Sequence, residues 1–343
     1  MECITIKDVA RVCGVGVSTV SRAINNHPDI NPETKEMIMQ VIKENNYVPN
    51  NSARNLKRSD ARAIAILIKG ISNQFFNSMI KVFEEEIQKK KYSLVLQHVD
   101  AWQDETEVAL ELEKEKRLRG IIFLGGIASH SQEQLKKIPV PFVLSTVSLL
   151  GKEYKNDYSF VSVDDVKESC RMTEYLISQG HEKIALLCSH KNDVSIGALR
   201  LTGYKKALEA HNIPVDERWI RHMDPELDSY SMESGYRMTK ALLEEGVDCT
   251  AIFAISDSLA IGAVRALIDA GKRVPMDISV AGFDGTEMAA YYNPSITTIR
   301  QPAETMARET IKLLFDSIKK KTNVQQLIFE GELVPGESVK KLN

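Results

Sequence analysis

The sequence predicts an α/β protein with a small all-helical unit at its N-terminus and a larger region of parallel sheets divided into two lobes. Length is one reason, because 343 residues exceed the roughly 250–300 that a single core accommodates. Residues 1–48 show only helical periodicity, whereas apolar strand-like runs alternate with amphipathic helical stretches from residue 63 onwards. That alternation is typical of βαβ units and therefore of parallel sheets.

Composition and charge are those of an ordinary folded protein. Hydrophobic residues make up 43% and charged residues 27%, and the net charge is −3, so a nucleic-acid role requires locally concentrated basic residues. The scattered cysteines lack a C-x-x-C pair and predict reduced, mostly buried thiols: Cys3, Cys13, Cys170, Cys188 and Cys249. The polar N-terminus and the lack of an apolar run of about 18 residues predict a cytoplasmic protein without a membrane partner.

Three short helices are predicted in residues 1–48. The first follows a Thr5 N-cap, stops at Gly14 and places four residues inward at helical spacing: Ile6, Val9, Ala10 and Cys13. The second begins after Gly16, and its inner face consists of Val20, Ala23 and Ile24. The third begins at Asn31-Pro32-Glu33, a cap followed by proline, and its apolar residues are Met37, Ile38, Val41 and Ile42.

Residues 49–62 are predicted to form a linker with a short hinge helix. Four basic residues stand against the single acidic residue Asp60 in this segment: Arg54, Lys57, Arg58 and Arg62. Asn50 can cap a helix that carries Ala53 and Leu56 on one face. Since the segment is shorter than the roughly 12–15 residues an isolated helix needs, it is expected to fray without DNA.

Two α/β lobes of similar size are predicted beyond the linker. The first lobe is expected to span residues 63–162 plus about 301–321, with strands at 63–68, 93–98, 120–125 and 141–145. The second is expected to span 163–300 plus about 322–343, with strands at 160–163, 183–188, 250–255, 278–283 and 295–300. A helix over 302–321 crosses back to the first lobe in this prediction, and short strands near 327–334 finish the chain.

The segment 5–25 has the sequence form of a helix-turn-helix, whose second helix enters the major groove of DNA. Val17 and Ser18 begin that helix, and Arg22, one turn on, is suited to bidentate contact with guanine. Thr19 and Ser21 are suited to phosphate contacts. Alternatively, the helices are only an oligomerisation cap, a reading that the basic linker disfavours.

The same residues resemble the lactose/galactose-repressor family. The resemblance begins with TIKDVA-x3-GV-x3-TVSRAIN, NPET and NYVPN-x2-AR-x-L. It continues through GHEKIALL (180–187), RLTGYKKAL (200–208), SDSLAIGAVRAL (256–267), RVPMDISVAGFD (273–284) and PSITTIRQP (294–302), and so covers essentially the whole chain. Gly16 departs from the family pattern, since Ser or Thr is usual there.

The resemblance implies a DNA-binding headpiece, a hinge helix and a two-lobed core similar to periplasmic sugar-binding proteins. It also implies a homodimer on double-stranded, pseudo-palindromic operator DNA and a small carbohydrate-like effector between the lobes. Leu56 would wedge between base pairs from the minor groove. The residues expected to contact DNA are Thr5, Val17, Ser18, Thr19, Ser21, Arg22, Asn25, Asn50, Ala53, Arg54, Leu56 and Lys57.

The resemblance also assigns residues to the effector: Phe75, Phe76, Thr146, Arg200, Tyr230, Ser256, Asp257 and Asp284. Arginine and aspartate converging on a neutral polyol make charge-assisted hydrogen bonds, and aromatic faces cover its apolar side. Thr146 stands where many sugar-responsive members carry aspartate, and Ser256 precedes Asp257 where asparagine is often found. Without the resemblance, Asp284-Gly285 reads as a turn, the two phenylalanines as core and Arg200 as a surface ion pair.

Two other functions fit the chain less well. A plain solute receptor needs a secretory signal and has no use for residues 1–62. An enzyme needs a nucleophile, an acid–base pair or a metal cluster, and the sequence contains no phosphate loop, G-x-S-x-G or H-E-x-x-H motif. The sequence therefore predicts a transcriptional regulator, most simply a repressor, with no catalytic residue, cofactor or metal.

Overall fold

A computed structural model describes residues 5–24, 27–45, 62–100, 103–126, 132–147, 158–320 and 324–342. The chain forms two compact units, Met1–Ala61 and Arg62–Asn343. Asn25 and the predicted hinge residues Asn50, Ala53, Arg54, Leu56 and Lys57 lie outside the described residues.

The first unit contains the three predicted helices, α1 (Ile6–Val12), α2 (Val17–Ile24) and α3 (Pro32–Glu44). Thr5 precedes α1, and its N–H and hydroxyl both donate to the Asp8 carboxylate, at 3.0 and 2.6 Å. Asn31 caps α3 by accepting from the backbone N–H of Glu33 at 2.9 Å. The helix boundaries predicted from capping residues are thereby confirmed.

A small core holds these helices together, and its buried members are Val9, Ala10, Val20, Ala23 and Ile38. Met37 of α3 is 41% exposed and does not join this core. Three short helices can bury only a narrow part of each helix surface. On α3, Ile38 is buried, Val41 and Ile42 are half-buried beside it, and Met37 faces away from the core.

The larger sheet of the second unit is parallel and has the order β11-β5-β4-β3-β1-β2. Its strands are β1 (Ala63–Lys69), β2 (Ser93–Val99), β3 (Gly120–Leu124), β4 (Phe142–Ser145), β5 (Phe160–Val163) and β11 (Gln326–Phe329). Its helices are α4 (Phe75–Lys89), α5 (Glu105–Lys116), α6 (Gln132–Lys136) and α12 (Ala303–Ile318). Apolar side chains on both faces of the sheet form the core of this first lobe.

Strands β5 and β11 correct the predicted lobe boundaries, which placed the strand at 160–163 and residues 322–343 in the second lobe. Gln326–Phe329 instead pairs with Phe160–Val163 at the edge of the first-lobe sheet. The reason lies in α12, which packs against β3, β4 and β5. The chain leaves this helix beside the open edge of β5, where its backbone groups find partners.

The second lobe contains a parallel sheet of order β7-β6-β8-β9. Its strands are β6 (Ile184–Cys188), β7 (Ile220–His222), β8 (Ala251–Ala254) and β9 (Ser279–Ala281). Its helices are α7 (Asp165–Ser178), α8 (Ile196–Ala210), α9 (Met232–Glu244), α10 (Asp257–Asp269) and α11 (Glu287–Tyr291). A separate antiparallel pair joins β10 (Thr298–Arg300) to β12 (Glu332–Val334). β7, which the sequence did not predict, has three residues and only one buried position.

Two further sequence expectations concern thiols and membranes. Cys13, Cys170, Cys188 and Cys249 are free thiols. Burial raises the pKa of Cys188 to about 11 and that of Cys249 to about 12, so both stay protonated near neutral pH. None of the helices in the described ranges has the length and apolar character needed to cross a bilayer.

Helices α9 and α10 are in close contact because glycine stands where they cross. A Cβ atom at Gly262 would overlap the carbonyl oxygen of Met232. We expect Gly262→Ala to lower the free energy of unfolding by about 1–3 kcal/mol, the usual penalty for overpacking. Urea denaturation measures this, with exposed Arg265→Ala on the same helix as the control. Equal stability of the two variants would contradict this packing.

Candidate functional site

The helix-turn-helix presents a free surface at the start of α2. Val17 is 42% exposed, and Ser18 and Arg22 are also exposed, whereas Thr19 and Ser21 are half-buried. The Arg22 guanidinium has no ion-pair partner among the described residues, while Arg11 on α1 lies 3.1 Å from Asp8. An apolar side chain, a hydroxyl and an unpaired guanidinium thus share one surface. That set can contact base edges and phosphates.

A buried polar cluster lies between the two lobes, centred on Arg200 of α8. Arg200 is 1% exposed, and its Nε donates to Asp165 Oδ1 at 2.8 Å. Its Nη1 donates to the carbonyl of Ile255 at 2.5 Å and lies 3.6 Å from Asp284 Oδ1. The guanidinium also stacks over Phe283, 3.7 Å from the ring centre. This geometry excludes a surface ion pair as the role of Arg200.

Asp284 connects the cluster to the first lobe and to the segment that returns to it. Its carboxylate accepts from Asn73 Nδ2 at 3.3 Å and from Gln301 Nε2 at 2.8 Å. Burial raises the pKa of Asp284, and the opposing charge of Arg200 lowers it in part. Burial likewise raises the pKa of Asp165, against the same guanidinium. One buried cation is therefore shared by two buried carboxyl groups.

Backbone strain marks three of the predicted effector residues. Thr146, Tyr230 and Asp284 have φ values of 56°, 60° and 118°. The other non-glycine residues with positive φ in the described ranges end helices: Lys91, Arg117, Asn212 and Lys320. Such strain persists only where surrounding contacts enforce it, and it concentrates at functional sites. The Thr146 hydroxyl, for example, accepts from the N–H of Gly125 at 3.0 Å.

The side chains of Ser256 and Asp257 make their hydrogen bonds within the second lobe. The Ser256 hydroxyl caps α10 by accepting from the N–H of Leu259 at 3.3 Å. Asp257 accepts from the Thr286 N–H at 2.6 Å and from the Thr298 hydroxyl at 2.7 Å. Burial raises the pKa of Asp257 despite these bonds. Neither residue lines the small cavity beside Arg200, but burial and the charge of Asp257 together raise the pKa of the neighbouring Asp284 carboxyl group.

Two of the cavities between the lobes adjoin each other. The inner cavity, of about 10 Å³, is lined by Asn73, Phe75, Phe76, Thr146, Ser162, Asp165, Ile196, Arg200, Asp284 and Gln301. The outer chamber, of about 290 Å³, shares Asn73, Phe76 and Ile196 with it and adds Tyr230. The inner cavity has room for about one water molecule, because its polar groups bond to one another. An effector that enters it must displace those bonds.

Sequence reasoning missed three members of the cluster: Asn73, Asp165 and Gln301. Each lies within a few residues of the end of a strand, and ligands of α/β proteins bind at the carboxyl ends of the strands. That position in the sequence could have identified them as candidate site residues. In the described part of the chain, no group of three or more His, Cys, Asp or Glu side chains is arranged to bind a metal ion.

The comparisons with known proteins agree with this architecture. Residues 5–50 match the model of bacterial regulatory proteins of the lacI family, and residues 173–339 match that of a periplasmic binding protein-like domain. The HTH-type transcriptional regulator MalR of Clostridium butyricum is 42% identical over 97% of this chain and 98% of its own length.

Two solved structures are also similar over nearly the full length. The transcriptional regulator CelR in complex with cellobiose has 29% identity and a TM-score of 0.71, covering 98% of this chain and 99% of its own. The lac repressor dimer bound to operator and the anti-inducer ONPF has 25% identity and a TM-score of 0.72, covering 99% and 100%.

The pairing of Arg200 with two buried carboxyl groups leads to a stability prediction. Arg200→Ala leaves Asp165 and Asp284 buried without their cation, and we expect the free energy of unfolding near pH 8 to fall by about 3–5 kcal/mol. The folded-state pKa values of these carboxyl groups, already raised, rise further. A raised folded pKa destabilises progressively as the pH rises from the unfolded pKa to the folded pKa. The variant therefore differs from the parent only above the parent's own raised pKa values, and the difference should shrink as the pH falls towards 5.

Urea denaturation at both pH values measures this difference, with Arg218→Ala as the control. Arg218 pairs with Asp216 on an exposed surface, so we expect little change at either pH. A penalty for Arg200→Ala that is equal at pH 5 and pH 8 would show that unpaired carboxylates are not its cause.

Proposed function

The chain belongs to the lacI family of bacterial regulatory proteins and is a DNA-binding transcriptional regulator, and we propose that it is a cytoplasmic repressor controlled by a sugar or sugar derivative. The observation that carries the effector part is the buried interlobe cluster, in which Arg200, Asp284 and strained backbone converge at the carboxyl ends of the strands. Such groups recognise a neutral polyol through charge-assisted hydrogen bonds.

The DNA-binding part of the proposal places α2 in the major groove. Arg22 reads a guanine, Val17 and Ser18 contact neighbouring base edges, and the hydroxyls of Thr19 and Ser21 bind phosphates. Thr5, at the start of α1, is a further phosphate contact. The sequence alone adds Asn25 and the hinge residues Asn50, Ala53, Arg54, Leu56 and Lys57 to this proposed interface.

A homodimer on a pseudo-palindromic operator completes the DNA-binding proposal. Two copies of one headpiece match two inverted half-sites, since the symmetry of the site mirrors that of the protein. The core carries exposed apolar side chains suited to such pairing, including Met288 and Tyr291 of α11, the latter 85% exposed. The lac repressor, which resembles this chain, is a dimer on its operator.

Effector control requires two states that bind the effector differently. The hydrogen bonds that join the lobes include Asn73 to Asp284 at 3.3 Å and Ser72 to Asp228 at 3.1 Å. An effector that replaces the Asn73 contact changes the orientation of one lobe relative to the other. The CelR–cellobiose complex supports a sugar as the effector class, as does the polyol chemistry of the cluster.

Selection of binding sites from random duplex DNA tests the regulator directly. We expect enriched sequences with two inverted half-sites, and a sugar that shifts the melting temperature should also change affinity for the selected site. Enrichment of single, unpaired half-sites would contradict the dimer. A melting-temperature shift without any change in DNA affinity would contradict effector control.

The selected operator then tests the role of Arg22. We expect Arg22→Ala to lose discrimination at one base position in each half-site, by roughly 1–3 kcal/mol, because a bidentate contact to a base edge is removed. Fluorescence anisotropy over single-base operator variants measures this. Arg11→Ala, on α1, is the control and should leave discrimination unchanged. Equal weakening of Arg22→Ala on every operator variant would assign Arg22 to phosphate contact instead.

A further inference from the structure

The outer chamber offers polar groups that the protein itself leaves unsatisfied. It lies beside the inner cavity, with Lys69, Gly125 and Gly126 on the first lobe and Asp193 and Tyr230 on the second. Its volume of about 290 Å³ is close to the lower limit of roughly 300 Å³ for pockets that bind small molecules. The inner cavity, at about 10 Å³, is far below it.

Asp193 provides the first unsatisfied group. Its Oδ1 accepts from the backbone N–H of Ser195 at 2.8 Å, at the start of α8. Its Oδ2 is buried and has no hydrogen-bond partner among the described residues. Gly197 makes this placement possible, because a Cβ atom there would lie 2.5 Å from Oδ2. A buried carboxylate oxygen with a free acceptor position is stabilised by a donor such as a hydroxyl.

Tyr230 provides the second unsatisfied group. Its hydroxyl is buried and makes no hydrogen bond of standard geometry in the described ranges, and its backbone has a φ of 60°. Burial raises the pKa of Tyr230, the Asp193 charge raises it further, and the Arg200 charge lowers it. The Ser195 side chain, which lies close to the hydroxyl, lowers the pKa as well. The hydroxyl is therefore close enough to both charges to interact with them, and Tyr230 lies between the outer chamber and the inner cluster. Its ring and that of Phe76 supply the aromatic surface that the apolar face of a sugar covers.

The charge of the chamber selects against anionic ligands. Lys69 is the one ammonium group in its lining, and it lies 3.7 Å from the buried Glu105 carboxylate. Four acidic residues line the same space: Asp100, Asp193, Glu226 and Asp228. The described lining contains no arginine, and the Asp193 carboxylate already occupies the start of α8, where a phosphate would otherwise bind. Uncharged hydroxyl donors fit these surroundings.

We propose that the outer chamber is a subsite for a second sugar ring, so that the effector is an uncharged disaccharide or longer glycoside, and that Asp193 determines this specificity. This inference rests on the proposed sugar control. One ring reaches Arg200 and Asp284 when the lobes separate, which breaks the Asn73 and Gln301 hydrogen bonds to the Asp284 carboxylate and enlarges the inner cavity. The next ring fills the outer chamber, donates a hydroxyl to Asp193 Oδ2 and packs against Tyr230. A monosaccharide can contact either Arg200 and Asp284 or Asp193 and Tyr230, but not both pairs.

Isothermal titration calorimetry on the full-length protein tests the proposal with maltose, cellobiose and trehalose, and with glucose, glucose 6-phosphate and trehalose 6-phosphate. We expect one of the uncharged disaccharides to bind about 10-fold or more tightly than glucose, as one additional hydrogen bond to a charged group implies. Both phosphorylated sugars should bind more weakly than their uncharged parents. Equal affinity for glucose and every disaccharide, or tighter binding of a phosphorylated sugar, overturns the proposal.

Two variants then assign the subsite to its residues. Asp193→Asn should reduce the preference for the disaccharide over glucose about 10-fold while glucose affinity stays the same. Tyr230→Phe, which retains the ring, should reduce the preference in the same direction. The control Asp269→Asn makes the same substitution on the exposed surface of α10 and should change nothing. An unchanged preference in both cavity variants, each with a parental melting temperature, overturns the subsite.

The possible failures can be told apart. If glucose and the disaccharides bind equally and weaken operator binding, the second-ring subsite is wrong and sugar control of the repressor stands. If operator binding is intact and no sugar of the panel binds, the second-ring subsite and sugar control are both wrong. If the selected DNA does not bind at all, the regulator itself is in question.

Discussion

The buried Arg200 guanidinium is the interaction on which the rest of the core depends. A cation that is 1% exposed is tolerated only when anions and acceptors surround it, and here two carboxylates, one backbone carbonyl and one aromatic face do so. Asp165 begins α7, Arg200 lies on α8 and Asp284 follows β9, so a single side chain fixes the positions of three elements. The carboxyl ends of the second-lobe strands are thereby ordered around one charge.

In the proposed mechanism, ligand binding is coupled to lobe movement because the polar groups of this cluster already bond to one another. Asp284 already accepts from Asn73 and Gln301, so a sugar hydroxyl can bind it only by replacing a protein donor. Asn73 belongs to the first lobe, and its release removes one of the direct bonds between the lobes. The strained backbone at Thr146, Tyr230 and Asp284 fits a site whose geometry is enforced by its surroundings. In the proposed mechanism, effector binding is therefore coupled to the orientation of the lobes.

The sequence predicted elements where one periodicity dominated, as in the apolar run of β3 or the capped start of α3. It failed where tertiary contacts decide. β7 has no apolar run to recognise, and β11 joins the first-lobe sheet because α12 carries the chain there. Asp193 illustrates the same limit in the site, because its orphaned oxygen depends on the absence of a Cβ at Gly197 in the folded chain. No local pattern reports such a distance.

Reciprocal linkage between operator and effector tests the central claim most directly. If one conformational equilibrium joins the interlobe site to the headpiece, the factor by which a bound sugar changes operator affinity must equal the factor by which operator changes sugar affinity. Calorimetric titration of the sugar into the free protein and into the protein–operator complex measures the second factor, and anisotropy with and without the sugar measures the first. We predict equal factors of about 5–150-fold, the usual range of allosteric coupling. Identical sugar affinity for free and operator-bound protein would contradict the account.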